Sequence, residues 1–199
     1  MNKQDFLQSF QLKNTIAYHP ESMQRVAHLD SKQLRKAAVL IGLVERTDGL
    51  QIIFTKRAEH LKHHPGQVSF PGGKYEPSDI SLQFTALREL EEEVGIFPYQ
   101  VDIVGQLPEI HTVSNFSVTP VVALIDPSYR ASIDRNEVES IFEVPAEHVL
   151  DKNKLFSQMF KFKQFQHRVF AIPFNEHLIW GMTAQIIQSL QQQITKSTA

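Results

Sequence analysis

Between Gly72-Gly73 and Gly95 the chain reads GGKYEPSDISLQFTALRELEEEVG, a glycine pair and polar turn followed by a helical pattern that ends in crowded carboxylates. No other segment restricts the fold as tightly. Phe84, Leu87, Leu90 and Val94 recur at spacings of three and four, which predicts one apolar stripe on a helix over 80–94. Ser78, Asp79 or Ser81 can cap its start, and Gly95 can stop it. A stripe anchored in a core sets where the polar side chains point. Positions three and four apart share a face, so Glu89 lies beside Glu92 and Glu93. Glu91, Glu92 and Glu93 are consecutive, and such crowding costs stability unless a cation offsets it.

Carboxylates converging on one rigid helix make a hard oxygen site, suited to magnesium or manganese with water and phosphate as remaining ligands. Glycine tolerates positive φ and lets backbone approach a ligand, so a carbonyl at Gly72-Gly73 could complete such a shell. The chemistry is metal-assisted attack of water on phosphorus. An acidic run alone is most often a solvated helix face. The combination with the glycine pair, with Arg88 before Glu89 and with Gly95 is what favours a site.

The flanking sequence predicts an α/β layered domain. Residues 37–45, AAVLIGLVE, form an apolar run fit for a buried strand. Asp48-Gly49 turns the chain into a second strand over 50–56. Residues 68–70, 101–107 and 117–125 read as further strands, 137–150 as a short helical or mixed segment broken at Pro145, and 167–174 as a last strand. A helix is expected over 179–193, followed by a fraying Gln-rich tail. Residues 1–36 form a helical or irregular extension with Phe6, Phe10 and Leu12 as docking residues. The domain boundaries are therefore 1–36, 37–190 and 191–199.

The run Arg88-Glu89-Leu90-Glu91-Glu92-Glu93-Val94-Gly95-Ile96 resembles the second half of the Nudix box, whose pattern is glycine, five residues, glutamate, seven residues, then Arg-Glu-(apolar)-x-Glu-Glu-x-Gly-(apolar). Counting from Gly73 puts Asp79 at the first acidic position, and eight residues rather than seven separate it from Arg88. Glu76 is a candidate to substitute for it. Upstream, Phe54-Thr55-Lys56-Arg57-Ala58, Lys62, Gly66 and Phe70-Pro71-Gly72-Gly73 resemble the signature of the coenzyme A diphosphatase branch. Lys62 stands where that signature usually has arginine, which keeps the charge but not a bidentate grip on phosphate.

The resemblance implies a Nudix α/β/α sandwich with a mixed β-sheet between helices. It implies metal-dependent hydrolysis of coenzyme A and its thioesters to 3′,5′-ADP and 4′-phosphopantetheine, acylated or not. Glu89, Glu92 and Glu93 would hold Mg2+ or Mn2+, with the carbonyl of Gly73. Arg88 would position the glutamates. Glu109, Glu137 and Glu139 are candidates for a further base, with Glu139 preferred. Other diphosphate substrates, such as ADP-ribose or a dinucleotide, share the box. A non-catalytic binding module would be expected to lose these acidic residues, and here they are present.

Coenzyme A carries a diphosphate and a 3′-phosphate, so Arg57, Lys62 and His64 are candidate phosphate contacts and Phe116 a candidate adenine platform. The bland alternatives are solvated charges and a core phenylalanine. Trp180 is expected to pack the C-terminal helix. His60, His63 and His64 lack structural zinc spacing and have no cysteine to support it, since the chain has none. Ser69 and Ser114 have no triad context. The absence of cysteine also excludes disulfides and suits a reducing cytosol. With a net charge of −2 there is no global basic field for nucleic acid. No apolar run approaches a membrane span and the N-terminus lacks a signal-peptide core, so a cytoplasmic protein acting on a small molecule is expected.

Overall fold

A computed structural model describes residues 1–11, 18–23, 26–162 and 165–194. Strands β1 (Arg35–Arg46) and β2 (Gly49–Arg57) form the expected hairpin through Asp48-Gly49, Arg46 pairing with Gly49. They pair only near this turn, from Leu43–Ile52 to Arg46–Gly49. Beyond it they separate, and the segment after Pro65-Gly66 fills the opening. There β3 (Val68–Ser69) pairs with β2, and β4 (Gly72–Lys74) pairs with β1. The wedge is held by an aromatic stack, Phe54 on Phe70 at 4.9 Å between ring centroids.

The apolar run of β1 is buried on both faces because β1 is central. It runs parallel to β7 (Phe116–Ile125), in register from Arg35–Phe116 to Val44–Ile125. Strands β5 (Val101–Gln106) and β6 (Ile110–His111) add antiparallel to β7, and β8 (Val138–Pro145) adds antiparallel to β2. The result is a mixed eight-stranded sheet. Helix α3 (Leu82–Val94) covers one face, burying Ala86, Leu90 and Val94 against Leu40, Ile53 and Val121. The other face packs on α1 (Lys3–Gln11), the short α2 (Pro20–Met23), α4 (Ala146–Leu150) and α5 (Met182–Ile194), with Phe6, Ile186, Ile187 and Leu190 fully buried. This is the expected α/β architecture, a mixed sheet between helices.

Several expectations are corrected. Phe84 is 41% exposed, and the core-facing stripe of α3 runs through Ala86, Leu90 and Val94, with Leu87 at its edge. Residues 138–145 are a strand, because Ile141 and Val144 extend the core beside β2; only 146–150 are helical. Strand β10 (Phe165–Phe174) is not the last. It is the middle of a second, antiparallel sheet, between β9 (Phe156–Phe162) and β11 (His177–Trp180). Its polar and aromatic composition concealed that sheet, since period-two burial is absent along β9. The glutamines at the end of α5 are held within the helix, and the tail expected to fray lies, from residue 195 on, outside the described residues. Gln191 Nε2 donates to the carbonyl of Val149 at 2.7 Å, and Gln193 Nε2 to that of Phe10 at 3.3 Å, so buried backbone acceptors order them within α5. Phe6 and Phe10 do dock in the core; Leu12 lies outside the described residues. Among the described residues no helix is long and apolar enough to cross a membrane.

Candidate functional site

The site begins at the start of α3. Ser81 is the N-cap, its hydroxyl accepting from the backbone N–H of Phe84 at 3.1 Å, and Gly95 ends the helix at φ 74°. Asp79 is not the cap. Its buried carboxylate accepts from Arg88 Nε at 3.0 Å, from the Thr85 hydroxyl at 2.8 Å and from the N–H of Glu76 at 3.0 Å. Arg88, first among these partners, holds the Asp79 carboxyl down at about 2. Asp79 thus takes the acidic position despite its shorter side chain. The tight turn from Glu76, whose carbonyl also accepts from the N–H of Asp79, absorbs the extra loop residue. Glu76 itself is exposed and does not substitute for it.

Arg88 is the hub of the cluster. It also donates to Glu92 at 2.8 Å and to the carbonyl of Lys74 at 2.9 Å, and pairs with Glu89 at 3.0 Å. One guanidinium therefore ties the helix to the glycine strand and orients three carboxylates.

Glu93 is buried, its Oε2 accepting from the N–H of Gly72 at 3.3 Å. Burial first, and the neighbouring Glu89 charge second, push its carboxyl up to about 8; Arg57 opposes this and Glu137 adds to it. Burial also raises Glu89, against the pull of Arg88, with Glu92 and Glu137 adding to the rise. A Cβ at Gly73 would fall 2.3 Å from Glu89 Oε1, so the Glu89 carboxylate occupies space that only glycine leaves free. Glu89, Glu93 and the Gly72-Gly73 strand are thus drawn together, whereas Glu92 is turned out to Arg88 with its side chain 58% exposed. Among the described residues no three His, Cys, Asp or Glu side chains are grouped closely enough to hold a metal ion as they stand.

The two candidate bases on β8 and its approach part company. Glu139 is ion-paired with Lys56 at 3.0 Å, which also pairs with Glu59. Glu137 is the one whose charge reaches both Glu89 and Glu93. Glu109 is engaged by the Ser117 hydroxyl.

Beside Gly72 lies a cleft of about 430 Å³ whose lining includes Arg57, His64, Gln67, Phe70, Gly72, Thr112, Val113, Trp180 and Met182. Arg57, paired in register with Val138, has a buried Nε without a hydrogen-bond partner. His64 reaches the cleft from a left-handed turn, φ 57°. Lys62 is exposed and does not line the cleft. Nor does Phe116: it packs on the core under the Arg35 guanidinium, 4.0 Å from the ring centroid. Trp180, expected to pack the C-terminal helix, is 45% exposed and lines the cleft. Sequence reasoning missed it because only the register of β11 against β10, Trp180 opposite Ala171, turns the indole outward.

The NUDIX domain matches residues 34–170. A curated relative from Enterobacter sp. (strain 638), described as an uncharacterized Nudix hydrolase NudL, is 40% identical over 190 residues, covering 96% of this chain and 93% of the relative. The protein of the same description from Yersinia pestis (strain Pestoides F) is 37% identical over 191 residues, covering 96% and 94%. Among solved structures, the NUDIX domain of Shewanella oneidensis NrtR complexed with ADP ribose superposes with a TM-score of 0.52 at 17% identity, covering 86% of this chain and 97% of that one. That likeness concerns the fold.

Proposed function

The chain belongs to the Nudix hydrolase family, and from that premise we propose that it hydrolyses the diphosphate bond of coenzyme A and its thioesters to 3′,5′-ADP and (acyl-)4′-phosphopantetheine. The observation that carries this reading is the cleft. Its lining brings the Arg57 Nε, buried without a partner, and the backbone at Gly72 together with apolar Val113, Trp180 and Met182. A substrate that carries both a diphosphate and a long, weakly polar arm suits such a mixed lining.

The donor set fits a divalent cation. Glu89 and Glu93 are hard oxygen donors whose carboxyls are both raised by burial, and Glu93 is raised further by Glu89, so a cation between them would offset charge on Glu93 and the part of the Glu89 charge that Arg88 leaves uncompensated. Glu89, Glu93 and the Gly73 carbonyl would hold Mg2+ or Mn2+, with Glu92 as a further donor. When bound, such an ion polarises phosphate oxygens and lowers the pKa of water. Arg88 keeps the glutamates in place, and Arg57 and His64 receive phosphate. Water attacks one phosphorus, the bridging P–O bond breaks, and the proton passes to a carboxylate. Glu137 suits that role better than Glu139, which Lys56 holds.

The test is product identification after incubation with coenzyme A, ADP-ribose and a diadenosine polyphosphate, each with and without Mg2+ or Mn2+. Metal-dependent 3′,5′-ADP from coenzyme A, with little turnover of the others, is the expected result. Turnover of ADP-ribose or the dinucleotide in its place overturns the substrate assignment.

A further inference from the structure

The outer face of the second sheet carries large apolar side chains that no core explains. Phe156, Ala171 and Trp180 lie directly opposite one another across β9, β10 and β11, so their side chains share one face. The other face of β10 and β11 turns Phe170, Ile172 and Ile179 into the core, whereas residues 156–161 of β9 are exposed on both faces. Phe160, four residues along β9 from Phe156, lies on the outer face opposite His167. Phe156 is 58%, Phe160 46% and Trp180 45% exposed. From the β6–β7 turn Val113 joins them, and from the start of α5 Met182; both are exposed and both line the cleft with Trp180.

Exposed apolar groups arranged contiguously mark a binding surface. This one begins inside the cleft, at Val113, Trp180 and Met182, and leaves it along Phe156 and Phe160. Arg57 shares the cleft with it, and toward the β9–β10 turn Gln158 and His167 lie on the same face among the phenylalanines. A ligand anchored by its phosphates at Arg57 could lay an apolar terminus on this strip. We propose that the strip receives the acyl chain of a coenzyme A thioester, so that the protein selects apolar acyl thioesters over free coenzyme A. The headgroup assignment rests on the function proposed above; contact of an apolar chain with Trp180 can be measured separately.

Trp180 is the one tryptophan in the chain, so its emission reports the strip directly. The experiment titrates the full-length protein, in chelator to prevent turnover, with coenzyme A and with its acetyl, butyryl, hexanoyl and octanoyl thioesters. Hydrolysis of the same compounds with Mg2+ is measured in parallel. The expected result is a blue shift of Trp180 emission that grows with chain length, and affinity rising roughly three- to fivefold for each added methylene pair as chain is partly buried. Phe156→Ser and Phe160→Ser, both at exposed positions outside the cleft lining, should flatten this dependence while leaving the affinity for free coenzyme A within about twofold. Emission and affinity that do not change along the series overturn the proposal, even if coenzyme A is hydrolysed. So does a ligand-free dimer in sedimentation that Phe156→Ser dissociates without altering chain-length dependence, which would make the strip a self-association face. A chain-length response without hydrolysis of any thioester would retain the strip and discard the coenzyme A reading.

Discussion

Asp79 and Arg88 are joined by two hydrogen bonds, Nε to Oδ1 at 3.0 Å and Nη2 to Oδ2 at 3.2 Å, and through Arg88 the turn before α3 is tied to the glutamates on it. Asp79→Asn keeps the size of the side chain and removes the charge. It should cost about 1.5–3 kcal/mol of stability, the range for a hydrogen bond to a charged group, measured by denaturant unfolding at neutral pH. The Asp79 carboxyl is held at about 2 when folded, well below its ordinary value of 3.8. Its contribution is therefore complete above about pH 4 and is lost as pH falls through about 2. The gap between wild type and D79N should close over that window.

Glu93 behaves in the opposite sense. Its carboxyl is pushed up to about 8 from 4.5, so without metal the folded chain binds a proton that the unfolded chain releases. The contribution is present below about pH 4.5 and is lost as pH rises through about 8. Metal-free protein should unfold at lower denaturant at pH 9 than at pH 6, Mg2+ or Mn2+ should reverse the loss, and Glu93→Gln should flatten the profile. An identical midpoint for wild type and E93Q at both pH values would contradict this electrostatic account.

Gly72 and Gly73 separate structure from function. At Gly73 an added methyl meets only the end of the Glu89 side chain, which can move. Gly73→Ala should keep stability within about 1 kcal/mol of wild type while lowering kcat/KM by about 100-fold, because Glu89 is displaced. At Gly72, with φ 156°, the methyl would lie 2.3 Å from the carbonyl oxygen of Ala38. Gly72→Ala should therefore lower Tm clearly, since the β1–β4 pairing must shift.

The choice of base can be read from kinetics. Glu137→Gln should reduce kcat by about 10²–10⁴ with KM little changed. Glu139→Gln releases Lys56 from one partner and should reduce kcat by less than about tenfold. The reverse ranking would return the role to Glu139.

The strands of β1, β2 and β7 and the helix bounded by Ser81 and Gly95 are legible in the sequence because each carries its own period and its own stop signals. The Arg88–Glu93 run is legible for the same reason: helical spacing places the glutamates on neighbouring positions. What α3 turns inward is not. Phe84 fits the apolar period yet lies outside, while Glu93 fits no apolar period and is buried, because the sheet beneath the helix, not its own pattern, sets the inward direction.

The β-hairpin, the capped helix and a carboxylate cluster next to two glycines can all be read along the chain, because each rests on interactions between residues close in sequence. That Asp79 serves Arg88, that Lys56 occupies Glu139, and that Trp180 lines the cleft and shares a sheet face with Phe156 follows from contacts made only on folding. Those relationships join segments far apart in sequence. They depend on strand register and on the burial of charge, neither of which has a local signature.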